Sequence, residues 1–458
     1  MRKTVLVLFV ILTNLSIYAQ DISGTWNGIL KVQGIQLRLV FNITQTEKGY
    51  SSTMDSPDQG AKGIPVTSTN YENSILKLEV SNAEIKYEGT LDKEGAFNGT
   101  FKQGGQSFPL ILTKKKIEKE IVVRPQEPIK PYPYYSEEVK FENKKDKIKL
   151  AGTLTLPEKN GKFPAVILIT GSGPQNRDEE LLDHKPFLVL SDFLTKNGIA
   201  VLRFDDRGTA KSTGDFKNAT TFDFATDVEY AIEYLQKRKE INKDKIGLIG
   251  HSEGGIIAPI IASENKDIDF IVLMAGSTLR GDKLLLLQKY KIETQMGINK
   301  QVVESNQQIF AGAYEIILNE NIEKEVLYDT LSHYFISKYG KALPENQKDA
   351  LINQLTSTWM INFIRLDPVV YLEKVSCPIL AINGNKDLQV PSKENLEVIE
   401  NIFRKSENTK VKIKELEGLN HLFQECETGA TSEYATIEQT ISPIALKEIL
   451  NWINIQVK

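Results

Sequence analysis

Cysteine and histidine are scarce in this sequence. Among its 458 residues there are two cysteines, Cys377 and Cys426, and four histidines. So few cysteines exclude a scaffold built from disulfides, although an oxidising compartment would allow these two to pair. No CxxC pair is present, and no cluster of histidines and cysteines has the spacing of zinc ligands. The sequence therefore predicts neither a metal centre nor a cofactor.

An excess of basic residues is also missing. The chain has 56 lysines and arginines against 60 aspartates and glutamates, which gives a net charge of −4 at pH 7. Proteins that bind nucleic acids carry basic patches or stripes, often with aromatic residues among them. No such run occurs here, so we expect no nucleic-acid partner.

Only the N-terminus contains a long apolar run. Arg2 and Lys3 precede the apolar segment TVLVLFVILTNLSIY, and Ala19-Gln20 follows as a small-residue cleavage site. This arrangement is typical of a secretory signal peptide, which we predict for residues 1–20, and a retained N-terminal anchor is the alternative. Cleavage would remove two basic residues and no acidic one, so the net charge would become −6. We expect the mature protein to be secreted or periplasmic, without an integral membrane span.

The hydrophobic pattern divides the rest of the chain, whose length suggests two or three domains. Across residues 21–114, apolar residues fall mostly on alternate positions, as in the run 35–43, and turns containing glycine and asparagine separate short strands. We expect this part to form a small antiparallel β-barrel or sandwich. The segment 115–136 contains four prolines and is predicted to be a stiff, extended linker.

From residue 137 onwards, apolar runs alternate with helical stretches. Within these runs apolar and polar residues do not alternate, which indicates strands buried on both faces of a sheet. The runs lie at 165–170, 200–205, 245–250, 269–276 and 378–384. We predict an α/β domain over 137–458 with a doubly wound, mostly parallel sheet. Residues 281–366 show helical periodicity without a strand, and we expect them to form a helical lid inserted above the sheet.

One of these strand runs leads into a glycine-rich motif. The sequence Gly250-His251-Ser252-Glu253-Gly254 has the form G-x-S-x-G and stands between a buried strand and an apolar helical segment. In a nucleophile elbow the serine occupies a strained strand–turn–helix position, and the residues around it must be very small. The motif and its context predict that Ser252 is a catalytic nucleophile. A glycine-rich turn with an idle serine is the alternative.

A serine nucleophile requires a base that takes its proton. Among the histidines, His251 adjoins the serine inside the turn, His184 precedes it in the chain and His333 falls in the predicted lid. His421 lies after the last predicted strands and just ahead of a C-terminal helical segment. We therefore predict that His421 is the base.

The third member of such a site is an acid that orients the imidazole. Asp387 follows the strand that ends at Gly384, so a loop at the carboxyl edge of the sheet can bring it to His421. Asp367 and Glu417 are alternatives, but neither directly follows a strand. We predict that Asp387 is the orienting acid.

Backbone N–H groups are the expected partners of the negatively charged oxygen that forms during acyl transfer. The residue after the nucleophile, Glu253, supplies one of them. The loop after the first central strand, ITGSGPQNRDE, contains Gly171, Ser172 and Gly173, where the backbone can approach a ligand closely. We predict that Ser172 or Gly173 supplies the second N–H group.

Five segments together resemble the α/β-hydrolase superfamily: GHSEGG, ITGSGPQNRDE, FDDRGTAKSTGD, INGNKDLQVP and GLNHLFQ. The resemblance covers about 137–458 and extends to secreted bacterial carboxylesterases and serine-aminopeptidase-like members with an added N-terminal β domain. It implies a Ser-Asp-His hydrolase that acts through an acyl-enzyme, without a metal or cofactor. Ser252, Asp387 and His421 follow one another in the chain order of that superfamily.

The main hypothesis for the substrate is a small-molecule carboxylic ester with a small acyl group. A serine aminopeptidase or acyl-peptide hydrolase with a short peptide substrate is an alternative, because the same triad cleaves amides. In that case Glu253 or Asp178 would hold the α-amine of the substrate. A catalytically inactive binding protein on a hydrolase scaffold is a further alternative, which the complete set of triad residues disfavours.

Overall fold

The computed structural model describes residues 21–32, 35–59, 61–103, 106–118, 123–406 and 408–458. Residues 1–20, predicted to be a signal peptide, lie outside these ranges. The chain divides into two compact units, one up to residue 121 and the other from residue 122 onwards. In the described part of the chain, no helix is long and apolar enough to span a membrane.

The first unit is all-β, as the alternating pattern predicts. Its described strands are β1 Gly24–Val32, β2 Ile35–Thr46, β3 Gly49–Ser56, β4 Ala61–Pro65, β5 Ser68–Glu72, β6 Ile75–Val80, β7 Ile85–Leu91, β8 Phe97–Gln103 and β9 Gln106–Leu112. They form two antiparallel sheets, one of β1 to β4 and one of β5 to β9, each in chain order. Neighbouring strands are therefore joined by short turns.

One packed core holds the first unit together. Trp26, Phe41, Tyr87 and Phe97 are buried in it, and the rings of Trp26 and Phe97 lie 4.6 Å apart between centroids. The backbone of Asn27 in β1 exchanges hydrogen bonds of 2.7 and 2.8 Å with Thr113, just after β9. The first strand is thereby tied to the end of the last one.

The second unit contains a sheet of eight described strands. They are β10 Tyr135–Asn143, β11 Ile148–Leu156, β12 Phe163–Ile169, β13 Ala200–Phe204, β14 Ile241–His251, β15 Phe270–Met274, β16 Ile379–Gly384 and β17 Val411–Leu416. Their order in the sheet is β10-β11-β13-β12-β14-β15-β16-β17. Pairing from β13 to β17 is parallel, and β10 and β11 pair antiparallel at one edge. The apolar runs of the sequence are β12 to β16, which confirms the mostly parallel sheet.

Helices cover both faces of this sheet. The described helices are α1 Pro186–Lys196, α2 Thr221–Gln236, α3 Gly254–Glu264, α4 Gly281–Gln295, α5 Lys300–Leu318, α6 Lys324–Tyr339, α7 Glu345–Leu355, α8 Thr358–Arg365, α9 Val369–Leu372, α10 Ser392–Phe403 and α11 Pro443–Gln456. In β12, Val166 and Leu168 pack in one cluster with α1 and α11, whereas Ala165 and Ile167 pack in another with α2, α3 and α10. Alternate residues of a strand point to opposite faces, so the predicted doubly wound fold is confirmed.

The segment predicted to be a lid contains α4 to α8, between β15 and β16. These helices have a core of their own, in which Phe335 and Ile364 are fully buried. A further cluster joins them to the sheet, because Ile256 of α3 packs with Leu284 of α4 and Phe363 of α8. The inserted helices are therefore docked on the helix that follows the G-x-S-x-G motif.

Part of the proline-spaced segment packs into the second unit. Arg124 is buried, and its guanidinium donates hydrogen bonds to the backbone carbonyls of Leu182, Asp183, Ala435 and Ile437. These carbonyls belong to the loops that precede α1 and α11. The prolines of this segment predict an extended connector. They do not indicate that Arg124 binds residues so distant in the chain.

Candidate active site

Ser252 lies in a tight turn between β14 and α3. Its φ angle is +52°, in the left-handed region that residues other than glycine rarely adopt. A side-chain carbon on Gly250 would lie 1.9 Å from the carbonyl oxygen of Gly254, and one on Gly254 would lie 2.2 Å from that of Ile169. Only glycine fits at both positions. The G-x-S-x-G sequence therefore forms the turn that places Ser252 at the carboxyl edge of the parallel strands.

The predicted acid and base are paired. Asp387 follows β16, and its Oδ2 lies 2.7 Å from Nδ1 of His421, with both side chains buried. The other carboxylate oxygen, Oδ1, accepts the backbone N–H groups of Gln389 at 2.8 Å and Val390 at 2.9 Å, which hold the carboxylate in place. An acid at this position favours the imidazole tautomer with the proton on Nδ1. Nε2 of His421 is then able to accept a proton.

The two alternative acids lie elsewhere. Oδ1 of Asp367 accepts the backbone N–H of Val369 at 3.1 Å, at the start of α9, and Glu417 is exposed. Within the described ranges, neither makes a hydrogen bond or ion pair with His421. Asp387 is the acid that the structure brings to this histidine.

The serine turn and the histidine loop lie side by side. The ring of His251 packs against that of His421, with 4.8 Å between centroids, and Nε2 of His251 lies 3.0 Å from the backbone oxygen of His421. Ser252 is half-buried, and its N–H donates to the carbonyl of Met274 at 2.9 Å. Among the described residues, the hydroxyl of Ser252 makes no hydrogen bond to the ring of His421. In enzymes, the hydrogen bond between a nucleophile and its base is often long without substrate and tightens when substrate binds. The structure thus joins Asp387 to His421 directly, and Ser252 to this pair through His251.

The glycine-containing loop after β12 passes next to the serine. A side-chain carbon on Gly171 would lie 3.1 Å from Cβ of Ser252, and Gly173 has a φ angle of +97°, which favours glycine. The backbone N–H groups of Ser172, Gly173 and Glu253 donate to no other described residue. These donors are therefore available to a ligand.

The carboxyl group of Glu253 is buried and links three parts of the domain. Its Oε1 accepts hydrogen bonds from Thr221 Oγ1 in α2 at 2.6 Å and from Trp359 Nε1 in α8 at 2.9 Å. Burial raises the pKa of Glu253, although both hydrogen bonds act in the opposite direction. The sequence gives no sign of these two partners, because no local pattern points to residues 32 and 106 positions away.

A second buried carboxyl group, that of Asp206 after β13, holds the loop that follows β12. It accepts hydrogen bonds from Thr170 Oγ1 at 2.7 Å and from the backbone N–H of Gln175 at 2.9 Å. Burial raises the pKa of Asp206 to about 8, and the nearby Glu179 and Glu253 act in the same direction, while its hydrogen bonds oppose the rise. Asp206 thus connects β13 to the loop that carries the candidate oxyanion donors.

Asp206→Asn should flatten the pH dependence of the free energy of unfolding. The folded protein keeps the Asp206 proton up to about pH 8, whereas the unfolded chain loses it near pH 4, at about the usual pKa of 3.9. Between about pH 4 and pH 8, only the folded state binds this proton. The stability that the proton gives to the folded state is therefore complete below about pH 4 and is lost as the pH rises to about 8. Urea unfolding at several pH values should show a smaller loss of stability between about pH 5 and 8 in Asp206→Asn than in the wild type. The exposed Asp215 provides a control, since Asp215→Asn should keep the wild-type dependence of the free energy of unfolding on pH. An equally steep dependence in Asp206→Asn would refute the raised pKa of Asp206.

The two carboxylates considered for binding an α-amine are both engaged by the protein. Glu253 accepts the hydrogen bonds of Thr221 and Trp359. Asp178 forms an ion pair with Arg203. One oxygen of each carboxyl group, Oε1 of Glu253 and Oδ1 of Asp178, is therefore engaged within the protein.

The two cysteines are free thiols in the structure, so the pairing that an oxidising compartment would allow is not made. Sγ of Cys426 donates to the backbone carbonyl of Gly418 at 3.4 Å. Burial raises the pKa of Cys377 to about 12 and also raises that of Cys426. Both groups therefore remain protonated near neutral pH.

The fold is that of an α/β hydrolase. Residues 187–427, just over half of the chain, match the family described as Serine aminopeptidase, S33. The chain belongs to this family, which confirms the superfamily that the sequence motifs predict.

Similar proteins include an esterase and a thioesterase. The chain is 25% identical over 435 residues to Esterase EstD of Thermotoga maritima, an alignment that covers 95% of this chain and 87% of that protein. It is 25% identical over 177 residues to Acyl-coenzyme A thioesterase 1 of Homo sapiens, covering 38% of each chain. Among solved structures, the alpha/beta hydrolase GrgF from Penicillium sp. sh18 aligns over 70% of this chain and 99% of its own, with 16% identity and a TM-score of 0.45. The similarity to Esterase EstD thus extends over nearly the whole length of this chain.

Proposed function

We propose that the protein is a serine esterase that hydrolyses carboxylic esters with small acyl groups through an acyl-enzyme on Ser252. The observation that carries this proposal is the buried Asp387–His421 pair next to Ser252, which occupies a strained turn at the carboxyl edge of the sheet. A nucleophile, a base and an orienting acid are the groups that acyl transfer by a serine requires.

In the proposed reaction, Oγ of Ser252 attacks the ester carbonyl while Nε2 of His421 takes its proton. Asp387 keeps the imidazole oriented and stabilises its positive charge. The N–H groups of Glu253 and of Ser172 or Gly173 bind the oxyanion. The C–O bond to the alcohol then breaks, and His421 returns the proton to the leaving oxygen. A water molecule repeats these steps on the acyl-enzyme, releasing the acid and restoring Ser252.

The ester substrate and the small acyl group have one support each, in that order. Esterase EstD aligns with this chain over most of both proteins. The apolar side chains beside the serine turn, Ile256, Leu284 and Phe363, are buried against one another. We expect a long acyl chain to require their displacement and an acetyl or butyryl group to fit without it.

A serine aminopeptidase is the second candidate, because the family that matches the chain carries that description. Amide hydrolysis would use the same Ser252, His421 and Asp387. The contacts of Glu253 and Asp178 disfavour it, because one oxygen of each carboxyl group is already engaged within the protein.

A fluorophosphonate probe followed by a substrate panel tests the proposal. The probe should label Ser252, and p-nitrophenyl acetate and butyrate should be hydrolysed with higher kcat/KM than the decanoate or any aminoacyl-p-nitroanilide. A higher kcat/KM on the anilides would instead favour the aminopeptidase. Absence of both labelling and turnover would point to an inactive binding protein.

We also propose that residues 1–20 direct the protein to the periplasm or the medium. Their basic start, apolar core and small-residue site support this. Fractionation of bacteria that express the chain with and without these residues should find activity outside the cytoplasm only with the full chain. Cytoplasmic activity in both cases would contradict it.

A further inference from the structure

The histidine next to the nucleophile is held by oxygen atoms at both ring nitrogens. Nδ1 of His251 lies 2.9 Å from Oε1 of Glu179, and Nε2 lies 3.0 Å from the backbone oxygen of His421. His251 and Glu179 are 5% and 4% exposed, so water has little access to either group. The reaction proposed above does not use either side chain.

The partners of these atoms decide where the protons lie. A backbone carbonyl only accepts hydrogen bonds, so the bond to His421 requires a proton on Nε2 of His251. Oε1 of Glu179 also accepts the backbone N–H of Gly171 at 2.7 Å, and an ionised carboxylate only accepts hydrogen bonds. With Glu179 ionised, Nδ1 of His251 must donate as well. Both ring nitrogens then carry protons, and His251 is an imidazolium ion.

The electrostatic surroundings support the same protonation state. Burial alone would lower the pKa of His251, but the charge and hydrogen bond of Glu179 outweigh it and, with weaker contributions from the His421 carbonyl and Asp387, raise the pKa. A buried charge of either sign is strongly disfavoured unless it is paired and hydrogen-bonded. Here each charge has the other as its partner.

The backbone at Glu179 indicates that this contact is maintained against local strain. Its φ angle is +51°, in the left-handed region that residues other than glycine rarely adopt. The side chain nevertheless reaches Gly171 and His251 across the loop. The surrounding structure, and not the local preference of the backbone, therefore determines the conformation of Glu179.

We propose that Glu179 and His251 form a buried carboxylate–imidazolium pair that positions the three parts of the catalytic site. Glu179 binds the loop of candidate oxyanion donors through Gly171, His251 is joined covalently to Ser252, and its Nε2 holds the backbone of His421. The importance of these three positions for catalysis rests on the proposed function. The charge state of the pair is argued from the contacts of His251 and Glu179 and does not depend on the proposed function.

The Glu179–His251 pair positions the catalytic groups and does not contact the reacting atoms. Breaking the pair should therefore change the kinetics in a specific way. Glu179→Gln keeps the size of the side chain but removes the charge that holds the second proton on His251. A displacement of about 1 Å in a catalytic group is able to lower the rate about 100-fold. We expect kcat for p-nitrophenyl butyrate to fall about 10- to 100-fold while KM stays near its wild-type value.

Matched variants separate this effect from a general effect of substitution. Glu180 is the next residue in the same loop and is exposed, so Glu180→Gln should leave kcat unchanged. His251→Gln should resemble Glu179→Gln, and the double variant should lose little more than either single one, because both changes break the same pair. A wild-type kcat in folded Glu179→Gln would overturn the positioning role, and so would additive losses in the double variant.

The protonation state is measured independently of activity. The chain has four histidines, so selective 15N-histidine labelling gives few ring signals, and His251→Gln identifies those of His251. The wild type at pH 7 should show protons on both ring nitrogens of His251, and Glu179→Gln should show one. One protonated nitrogen on His251 in the wild type would overturn the pair, and this result does not need Glu179→Gln to fold. The result expected in Ser252→Ala is the same two-proton signature, so an error in the proposed nucleophile is distinguishable from an error in the pair.

Discussion

Ser252→Ala is expected to abolish ester hydrolysis. The substitution removes the hydroxyl whose proton His421 would take, so no acyl-enzyme can form. Loss of the nucleophile in a serine hydrolase lowers kcat by several orders of magnitude, and we expect a fall of at least about 10⁴-fold for p-nitrophenyl butyrate. Steady-state kinetics and the loss of fluorophosphonate labelling measure the effect.

The fold should survive this substitution. The hydrogen bond from residue 252 to Met274 is made by the backbone N–H, which alanine retains, so the far-ultraviolet circular dichroism and the Tm should stay near wild-type values. Ser337 in α6 is exposed and offers a control, since Ser337→Ala should keep full activity. Undiminished hydrolysis by folded Ser252→Ala would show that the nucleophile lies elsewhere.

Asp387→Asn is expected to lower kcat by about 10³- to 10⁴-fold. The oxygen that accepts the N–H groups of Gln389 and Val390 must remain an acceptor, so the amide NH₂ of asparagine would face Nδ1 of His421. The imidazole would then accept at Nδ1 and carry its proton on Nε2. In that tautomer His421 is unable to take the proton of Ser252.

Asp367→Asn provides the control for this experiment, because Asp367 is the alternative acid and caps α9. An asparagine oxygen is able to accept the same backbone N–H, so folding and kcat should both be close to wild type. A large loss of kcat in Asp367→Asn, with little loss in Asp387→Asn, would reverse the assignment of the acid.

The larger features of this protein follow from short-range patterns in the sequence. Buried parallel strands need apolar side chains on both faces, so β12 to β16 are visible as uninterrupted apolar runs. The serine turn is visible because Gly250 and Gly254 have no room for a side chain. Asp387 is also predictable, because the carboxyl ends of parallel strands meet at one edge of a sheet.

Contacts between distant side chains were not predictable. Arg124 lies in a proline-spaced segment, yet it binds four backbone carbonyls of the second unit. The aminopeptidase alternative would have Glu253 or Asp178 hold an amine, but the carboxyl of Glu253 accepts hydrogen bonds from Thr221 in α2 and Trp359 in α8. The sequence records which residues are present and which strand or helix they follow, but not the direction in which a side chain points after folding.

By itself, the sequence determined the fold class, the turn at Ser252 and the order of the candidate catalytic residues, because periodicity and steric limits act over a few neighbouring positions. Only the tertiary structure decided that His251 lies between Glu179 and the backbone of His421. Residues 72 and 170 positions apart meet there, and their protonation depends on burial and on which oxygen faces which nitrogen. Those quantities exist only once the chain is folded.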